Sequence, residues 1–196
     1  MNSGQTRQAR RGNNIILVGF RCSGKNTVGE SLARRLGWPV LDMDQRIQEI
    51  CGQSIASLVE QSGWERFRRL ESMVVKEVKP REQRVIVTGG GVIERPENVE
   101  HLRRSGLMVF LETRMDDILQ RMTADARTPA TRPDLTGLPL AEEVRVLLER
   151  REPLYRTAAD VVVNTSVLSV EACVDQIIQF LLQKEERIHR ARNMSQ

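Results

Sequence analysis

The segment that most limits what this chain can fold into is Gly19-Phe20-Arg21-Cys22-Ser23-Gly24-Lys25. It follows the apolar run Asn14–Val18, which predicts a strand, and precedes an amphipathic helical pattern that ends near Leu36. The spacing G-x-x-x-x-G-K is that of a phosphate-binding P-loop, whose glycines let backbone N–H groups turn around an anion. The helix N-terminus and the Lys25 ammonium add positive charge to the same place. We therefore expect these residues to bind the nucleotide phosphates: Gly19, Arg21, Cys22, Ser23, Gly24, Lys25, Asn26 and Thr27.

The charge distribution argues against a nucleic-acid partner. The chain has 196 residues, a length that suits one domain, and a net charge of +4. That charge lies in the two ends, residues 1–12 and 184–196, whereas residues 13–183 are close to neutral. A nucleic-acid platform would place its basic residues on the fold itself. We expect a disordered basic leader over 1–12, a single domain over 13–183 and a basic tail over 184–196.

The apolar segments and the cysteines indicate a cytoplasmic protein. No apolar run reaches the length of a membrane span, and the N-terminus lacks the apolar core of a signal peptide. The three cysteines, Cys22, Cys51 and Cys173, are odd in number and widely spaced. Such spacing favours neither a disulfide framework nor a zinc site, so a reducing compartment fits best.

Strand patterns alternate with helical patterns along the whole chain. This order predicts an α/β fold of three layers, with a central five-stranded parallel sheet flanked by helices. Residues 123–137 show no apolar periodicity, and a loop of this length inside a compact domain predicts a mobile lid. We predict strands at 14–18, 38–41, 84–88, 107–111 and 160–164. The first predicted helix follows the P-loop and ends at about residue 36, and the others span 45–51, 55–61, 65–79, 96–105, 115–122, 139–157 and 170–183.

Residues able to do chemistry follow three of the predicted strands. The P-loop follows the first strand, Asp42 and Asp44 follow the second, and Gly89–Gly91 follow the third. Ligands of parallel α/β sheets gather at these carboxyl ends. If the chain is extended there, Asp42 and Asp44 point the same way and serve one metal and one substrate hydroxyl. The alternative is a solvated turn in which a carboxylate caps a helix.

Three arginines add candidate anion-binding groups. Arg68 and Glu71 lie three residues apart on one helical face, which suits either an anion clamp or an ordinary helix ion pair. Arg151 lies near the end of a long helical pattern, and Arg132 lies in the predicted lid.

Taken together, these motifs resemble those of the shikimate kinase family. The likeness spans about Asn14 to Leu182 and rests on motifs that occur in order. They are the P-loop followed by Thr-Val-Gly, Leu-Asp-x-Asp, Phe-Arg-x-x-Glu, Gly-Gly-Gly, Arg-Pro in the lid and Arg-x-Pro-Leu-Tyr.

The resemblance implies transfer of the γ-phosphoryl group of ATP, with Mg²⁺, to the 3-hydroxyl of shikimate, a step of aromatic amino-acid biosynthesis. By position, Asp44 would hold the reacting hydroxyls and act as base. Lys25 and Arg132 would stabilise phosphate charge, as suits a reaction that depends on positioning and electrostatics. The same resemblance implies that Arg121 lies against adenine.

The binding residues follow from the resemblance in the same way. Arg68 and Arg151 would bind the shikimate carboxylate, because planar guanidinium groups match carboxylates. Asp42 would hold Mg²⁺ through water, with Asn26 as the other metal-binding candidate. The segment at about 42–79 would carry shikimate, and backbone contacts would come from Gly89, Gly90 and Gly91.

Two P-loop positions depart from the family pattern. Cys22 stands where glycine is usual, and Asn26 stands where a Ser or Thr hydroxyl ordinarily ligates Mg²⁺. Two alternatives therefore stay open beside a monomeric shikimate kinase. One is another small-molecule kinase, such as a gluconate kinase. The other is a non-catalytic shikimate- or nucleotide-binding protein with an impaired metal site.

Overall fold

The computed structural model describes residues 12–124 and 138–193. The predicted leader falls on residues left undescribed, apart from Gly12, and so do Arg132 and lid residues 125–137. The strands are β1 Asn14–Val18, β2 Val40–Asp42, β3 Val85–Val87, β4 Gly106–Glu112 and β5 Val161–Asn164. The helices are α1 Lys25–Leu36, α2 Met43–Cys51, α3 Ile55–Glu77, α4 Pro96–Ser105, α5 Met115–Ala124, α6 Leu140–Ala158 and α7 Val170–Asn193, with a 3₁₀ turn at Val92–Glu94.

The five strands form one parallel sheet in the order β2-β3-β1-β4-β5, which confirms the predicted α/β class. One face packs against α2, α3 and α4, and the other packs against α1 and α7. All five residues of β1 are buried because β1 lies at the centre of the sheet. A strand that is apolar after its first residue, Asn14, suits a sheet that is covered on both faces. The P-loop therefore follows a strand whose residues are all buried.

Asn14 fixes the amino end of β1, at the opposite edge from the P-loop. Its side-chain amide donates to the carbonyls of Lys79 (2.8 Å) and Ser105 (2.9 Å) and accepts from the Arg84 N–H (3.0 Å). A buried amide is tolerated when its hydrogen bonds are made. These bonds join the segments that lead into three neighbouring strands. The carboxyl ends of those strands consequently keep a fixed alignment around the site.

The predicted break in the third helical stretch is confirmed, but its end was placed too late. Gly63 has φ 74° and ψ 167°, which interrupts the helical geometry inside α3. The helix ends at Glu77 and is capped by Val78, two residues before the predicted end. Pro80 disfavours a helical conformation in the residue before it, so the last turn closes early.

The last helix is longer than predicted. Its pattern indicated an end at residue 183, and this expectation was wrong, because α7 continues to Asn193. Residues 184–193 contain neither glycine nor proline and are rich in Lys, Glu and Arg, which favour helix. The apolar periodicity stops near 183, but helical propensity continues beyond it. Among the described residues, no helix is long and apolar enough to cross a membrane.

Candidate active site

The P-loop bends sharply between β1 and α1. Gly19 has φ +152°, and a Cβ at this position would lie 2.7 Å from the Leu111 carbonyl oxygen. Gly24 has φ +89° and precedes the first turn of α1. Cys22, where the family usually has glycine, has φ +60°. A side chain in this left-handed region costs about 1 kcal/mol, so Cys22 fits the loop at a modest cost.

Lys25 folds back over the loop that precedes it. Its Nζ donates to the carbonyl oxygens of Gly19 (3.0 Å) and Phe20 (2.7 Å), and the residue is buried. Ser23 is also buried, and its Oγ has no hydrogen-bond partner among the described residues. The Nε of Arg21 is likewise buried and has no hydrogen-bond partner among the described residues. Unsatisfied donors around a loop of inward-turned N–H groups fit the phosphates of a nucleotide.

An ion pair and a hydrogen bond also hold the P-loop in place, and neither was predicted. The Arg21 guanidinium pairs with the buried carboxylate of Glu143 on α6. Arg121 of α5 donates to the Cys22 carbonyl (3.2 Å) and the Thr165 carbonyl (2.8 Å). Arg121 therefore joins the loop to the segment after β5. No spacing in the sequence links Glu143 or Thr165 to the loop, because their partners lie more than forty residues away.

A cavity of about 890 Å³ opens beside the P-loop. Its wall includes Asp44 and Gly90 as well as Arg121, Thr165 and Cys173, so it spans the carboxyl ends of several strands. Arg68, Gly89, Gly91 and Arg151 lie outside this wall and form an adjoining cluster, described below. The predicted residues that line the cavity are Arg21, Cys22, Gly24, Lys25, Asn26, Thr27, Asp42, Asp44, Gly90 and Arg121.

The prediction that Asp42 and Asp44 lie on an extended segment was wrong. Helix α2 begins at Met43, two residues before the predicted start, and Asp42 is its N-cap. The Asp42 Oδ1 accepts from the N–H groups of Asp44 (2.9 Å) and Gln45 (3.1 Å). An N-cap carboxylate accepts hydrogen bonds from the first backbone N–H groups of a helix, which have no partner within the helix. These bonds favour a helix start at this point over an extended segment. The helix-cap alternative is therefore correct for Asp42.

The other carboxylate oxygen of Asp42 faces the P-loop helix. Its Oδ2 accepts from the Asn26 Nδ2 at 2.6 Å. Both predicted metal-binding side chains thus meet at the cavity wall. Carboxylate and amide oxygens are hard ligands, and Mg²⁺ is usually held by one or two of them together with substrate phosphates and water. The pair therefore fits a magnesium site between α1 and α2, provided that the amide releases Oδ2 or turns.

Gly89 allows two acidic side chains to approach the end of β3. A Cβ at Gly89 would lie 2.9 Å from the Glu71 Oε1 and 3.0 Å from the Asp44 Oδ1. Asp44, in the first turn of α2, therefore lies beside both the glycine run and Glu71. Gly90 is fixed by Tyr155, whose hydroxyl donates to the Gly90 carbonyl. Tyr155 was not among the predicted site residues, although it closes the Arg-x-Pro-Leu-Tyr motif.

Arg68 and Glu71 form a tight pair inside the fold. The Arg68 Nη1 donates to both carboxylate oxygens of Glu71, at 2.9 and 2.8 Å, and the Glu71 side chain is fully buried. Burial raises the pKa of Glu71 to about 7, although Arg68 opposes this, and the nearby Asp44 adds to the rise. The two residues therefore do form an i,i+3 ion pair on the helix, but a buried one.

This pKa predicts that Glu71 makes stability fall as pH rises. The pKa of Glu71 is about 7 in the folded protein and 4.5 in the unfolded chain, so the folded protein binds this proton more tightly. The stabilisation that results is complete below pH 4.5 and is lost as the pH rises through about 7. We expect the free energy of unfolding of Glu71→Gln minus that of wild type to rise between these values, by up to about 1.4 kcal/mol per pH unit. Urea unfolding from pH 5 to 8 measures it. Glu60→Gln, exposed on the same helix, is the control, and a flat difference curve for Glu71→Gln would contradict the assignment.

Arg68 and Arg151 converge on the carboxylate of Glu94, the last residue of the 3₁₀ turn. The Arg151 Nη2 donates to the Glu94 Oε2 at 2.8 Å, and the Arg68 Nη2 lies 3.6 Å from the same oxygen. A Cβ at Gly91 would lie 1.9 Å from the Arg68 Nη2, so a larger residue there would displace the Arg68 guanidinium. Burial raises the Glu94 pKa, but Arg151, Arg150 and Arg68 outweigh it and hold that pKa below the usual value. No motif or spacing in the sequence pointed to Glu94.

The shikimate kinase family model matches residues 21–182. The shikimate kinase of Nitratidesulfovibrio vulgaris is 41% identical over 170 residues, which cover 86% of this chain and 94% of that protein.

The chain belongs to the shikimate kinase family. Shikimate kinase from Acinetobacter baumannii, solved in complex with shikimate, is 35% identical with a TM-score of 0.81, and the match covers 90% of this chain and 96% of that one. A gluconokinase from Sinorhizobium meliloti covers 93% of this chain and 99% of its own at a TM-score of 0.57, but its 16% identity shows a shared fold alone. The chain is therefore a kinase of a family that uses ATP with Mg²⁺.

Proposed function

We propose that this shikimate kinase family member phosphorylates the 3-hydroxyl of shikimate and releases ADP. The observation that carries the proposal is the convergence of Arg68 and Arg151, from α3 and α6, on a single carboxylate oxygen. Two guanidinium groups placed in this way are suited to a carboxylated substrate. Gluconate is also a carboxylate, but the family match and the shikimate-bound relative support shikimate.

The roles of the remaining residues follow from their positions. Asp44 lies in the cavity wall beside the Arg68–Glu71 pair, where it would orient the substrate hydroxyls and accept the proton of the reacting one. That oxygen then bonds to the γ-phosphorus as the bond to ADP breaks. Lys25 would neutralise phosphate charge from its place above the P-loop. Arg121 would border the base of the nucleotide, and Arg132 would approach the phosphates from the lid.

The Asn26–Asp42 contact predicts how the metal site responds to substitution. In Asn26→Thr, Asp42 Oδ2 is released and a hydroxyl becomes available, so we expect the Mg²⁺ concentration for half-maximal ADP binding to fall about 3–10-fold. Asn26→Ala releases Oδ2 but adds no ligand, and it should show less of this gain. Calorimetric titration of ADP at a series of Mg²⁺ concentrations measures both. Equal metal requirements in all three proteins would show that Asn26 does not limit the site.

The proposed activity is tested by a coupled ADP-release assay with ATP, Mg²⁺ and shikimate. We expect shikimate-dependent ADP formation, with shikimate 3-phosphate confirmed by phosphorus NMR. Gluconate in place of shikimate should give no turnover. Binding of shikimate without turnover at any metal concentration would instead support the non-catalytic alternative. Turnover on gluconate alone would overturn the assignment of the substrate.

We further propose that the protein acts as a cytoplasmic monomer without a nucleic-acid or membrane partner. Its three cysteines form no disulfide with one another, which supports a reducing compartment. Sedimentation at micromolar concentration would test the monomer, and a particle of twice the chain mass would contradict it.

A further inference from the structure

Glu94 holds a position that a substrate carboxylate would need. Its side chain is 22% exposed, and its Oε2 lies between the guanidinium groups of Arg151 and Arg68. Its Oε1 pairs with Arg150, which is 58% exposed. Each of the three arginines thus directs a guanidinium nitrogen to one carboxylate. If shikimate binds through Arg68 and Arg151, it must share these donors with Glu94 or displace it.

Arg151 has a donor that Glu94 leaves unused. Its side chain is 4% exposed, and its Nε is buried without a hydrogen-bond partner among the described residues. The Nε–H and the outer Nη2–H of a guanidinium point in parallel and together match the two oxygens of a carboxylate. Glu94 accepts only from Nη2. A buried donor left open beside an occupied one leaves hydrogen-bonding capacity on this side of Arg151 for a second acceptor, such as a carboxylate.

We propose that Glu94 is an internal stand-in for the substrate carboxylate, which neutralises the two binding arginines in the free protein and weakens shikimate binding by competing for them. This inference rests on the proposed function. While Glu94 occupies the arginines, only the remaining fraction of molecules is ready to bind a carboxylate, and the apparent affinity falls by that fraction. The charge of Glu94 also compensates the cations before substrate arrives. Glu94 is thus a positioning residue that sets how strongly a carboxylate is preferred.

The structure also allows a purely structural role, which predicts the opposite effect. If Glu94 only held Arg68 and Arg151 in place, its removal would release both side chains and weaken shikimate binding. Competition instead predicts stronger binding when the Glu94 charge is removed. The sign of the change in affinity therefore separates the two roles.

The test is the dissociation constant of shikimate for Glu94→Gln, measured by calorimetry. We expect it to fall about 3–10-fold, because glutamine keeps the shape but competes weakly for guanidinium groups. The carboxamide of shikimate is the second probe, and its affinity should change little. Glu65→Gln is the matched control, because Glu65 lies on α3 near Arg68 but is 67% exposed and pairs with Arg95. The affinity of Glu65→Gln for shikimate should equal that of wild type.

Tryptophan fluorescence gives an independent signal at the same site. Trp64 lies 5.8 Å from the Arg68 guanidinium, whereas the second tryptophan of the chain, Trp38, packs on the opposite face of the sheet. Shikimate should change the emission of Trp64 at lower concentration in Glu94→Gln than in wild type. Glu94→Asp, whose shorter side chain reaches less far toward the arginines, should give an intermediate affinity and guards against a folding defect of the first variant.

The outcomes separate this inference from the proposed function. Wild-type protein that binds no shikimate would overturn both. Wild-type protein that binds shikimate, beside Glu94→Gln with equal or weaker affinity, would overturn the role of Glu94 alone. Equal gains for shikimate and its carboxamide would also overturn it, because competition acts on the carboxylate. A gain for shikimate alone supports it.

Discussion

Asp44→Asn is expected to lower kcat for shikimate phosphorylation by about 10²–10⁴-fold. Asparagine keeps the size of the side chain and its place in the first turn of α2, but it cannot accept the proton of the reacting hydroxyl. The Cβ position of Gly89 is within 3.0 Å of Asp44 Oδ1, so the carboxylate lies where the glycine run and the cavity meet. Steady-state kinetics with saturating ATP measures the loss. The KM for ATP should change little, because the P-loop is intact.

The matched control is Asp116→Asn. Asp116 also lies in the first turn of a helix, α5, but it is exposed and does not line the cavity. We expect wild-type kcat for this variant. A similar kcat for both variants would remove the base role from Asp44, whereas a higher KM for shikimate with unchanged kcat would reduce that role to binding.

Lys25→Met is expected to lower kcat/KM for ATP by about 10²–10³-fold. Two effects contribute. The phosphates lose a positive charge, and the carbonyls of Gly19 and Phe20 lose the ammonium to which they are bonded at 3.0 and 2.7 Å. Buried acceptors left without a donor cost about 1–3 kcal/mol each, so the loop should also become less ordered. Kinetics at varied ATP and calorimetry with ADP measure both consequences.

Lys76→Met serves as the control for this substitution, because Lys76 is exposed on α3. Wild-type nucleotide affinity is expected for it. If Lys25→Met bound ADP as tightly as wild type and lost less than about tenfold in kcat/KM, the side chain would serve the loop rather than the phosphates. Circular dichroism shows whether either variant has unfolded.

Local patterns in the sequence were enough for the fold class, and ten of the residues that they singled out line the cavity. The P-loop, the glycine run and the apolar strands predicted a parallel sheet, because such signals depend on residues close in sequence. The predicted ends of helices and strands were wrong where the local sequence was compatible with two different structures. Asp42 could end a strand or cap a helix, and the two N–H groups that it accepts decided for the cap. Helix α7 extends beyond the end of its apolar pattern because the residues that follow still have high helix propensity.

The contacts that complete the site required the tertiary structure. Glu94 meets Arg151 across 57 residues, and Glu143 meets Arg21 across 122, so no motif spacing joins them. Charged residues on helical patterns look alike in sequence whether they are solvated or buried. Burial changes their chemistry, as the raised pKa of Glu71 shows. The sequence by itself determined the strands, the phosphate loop and the family resemblance, whereas packing of the helices on the sheet decided which charges meet and what they do there.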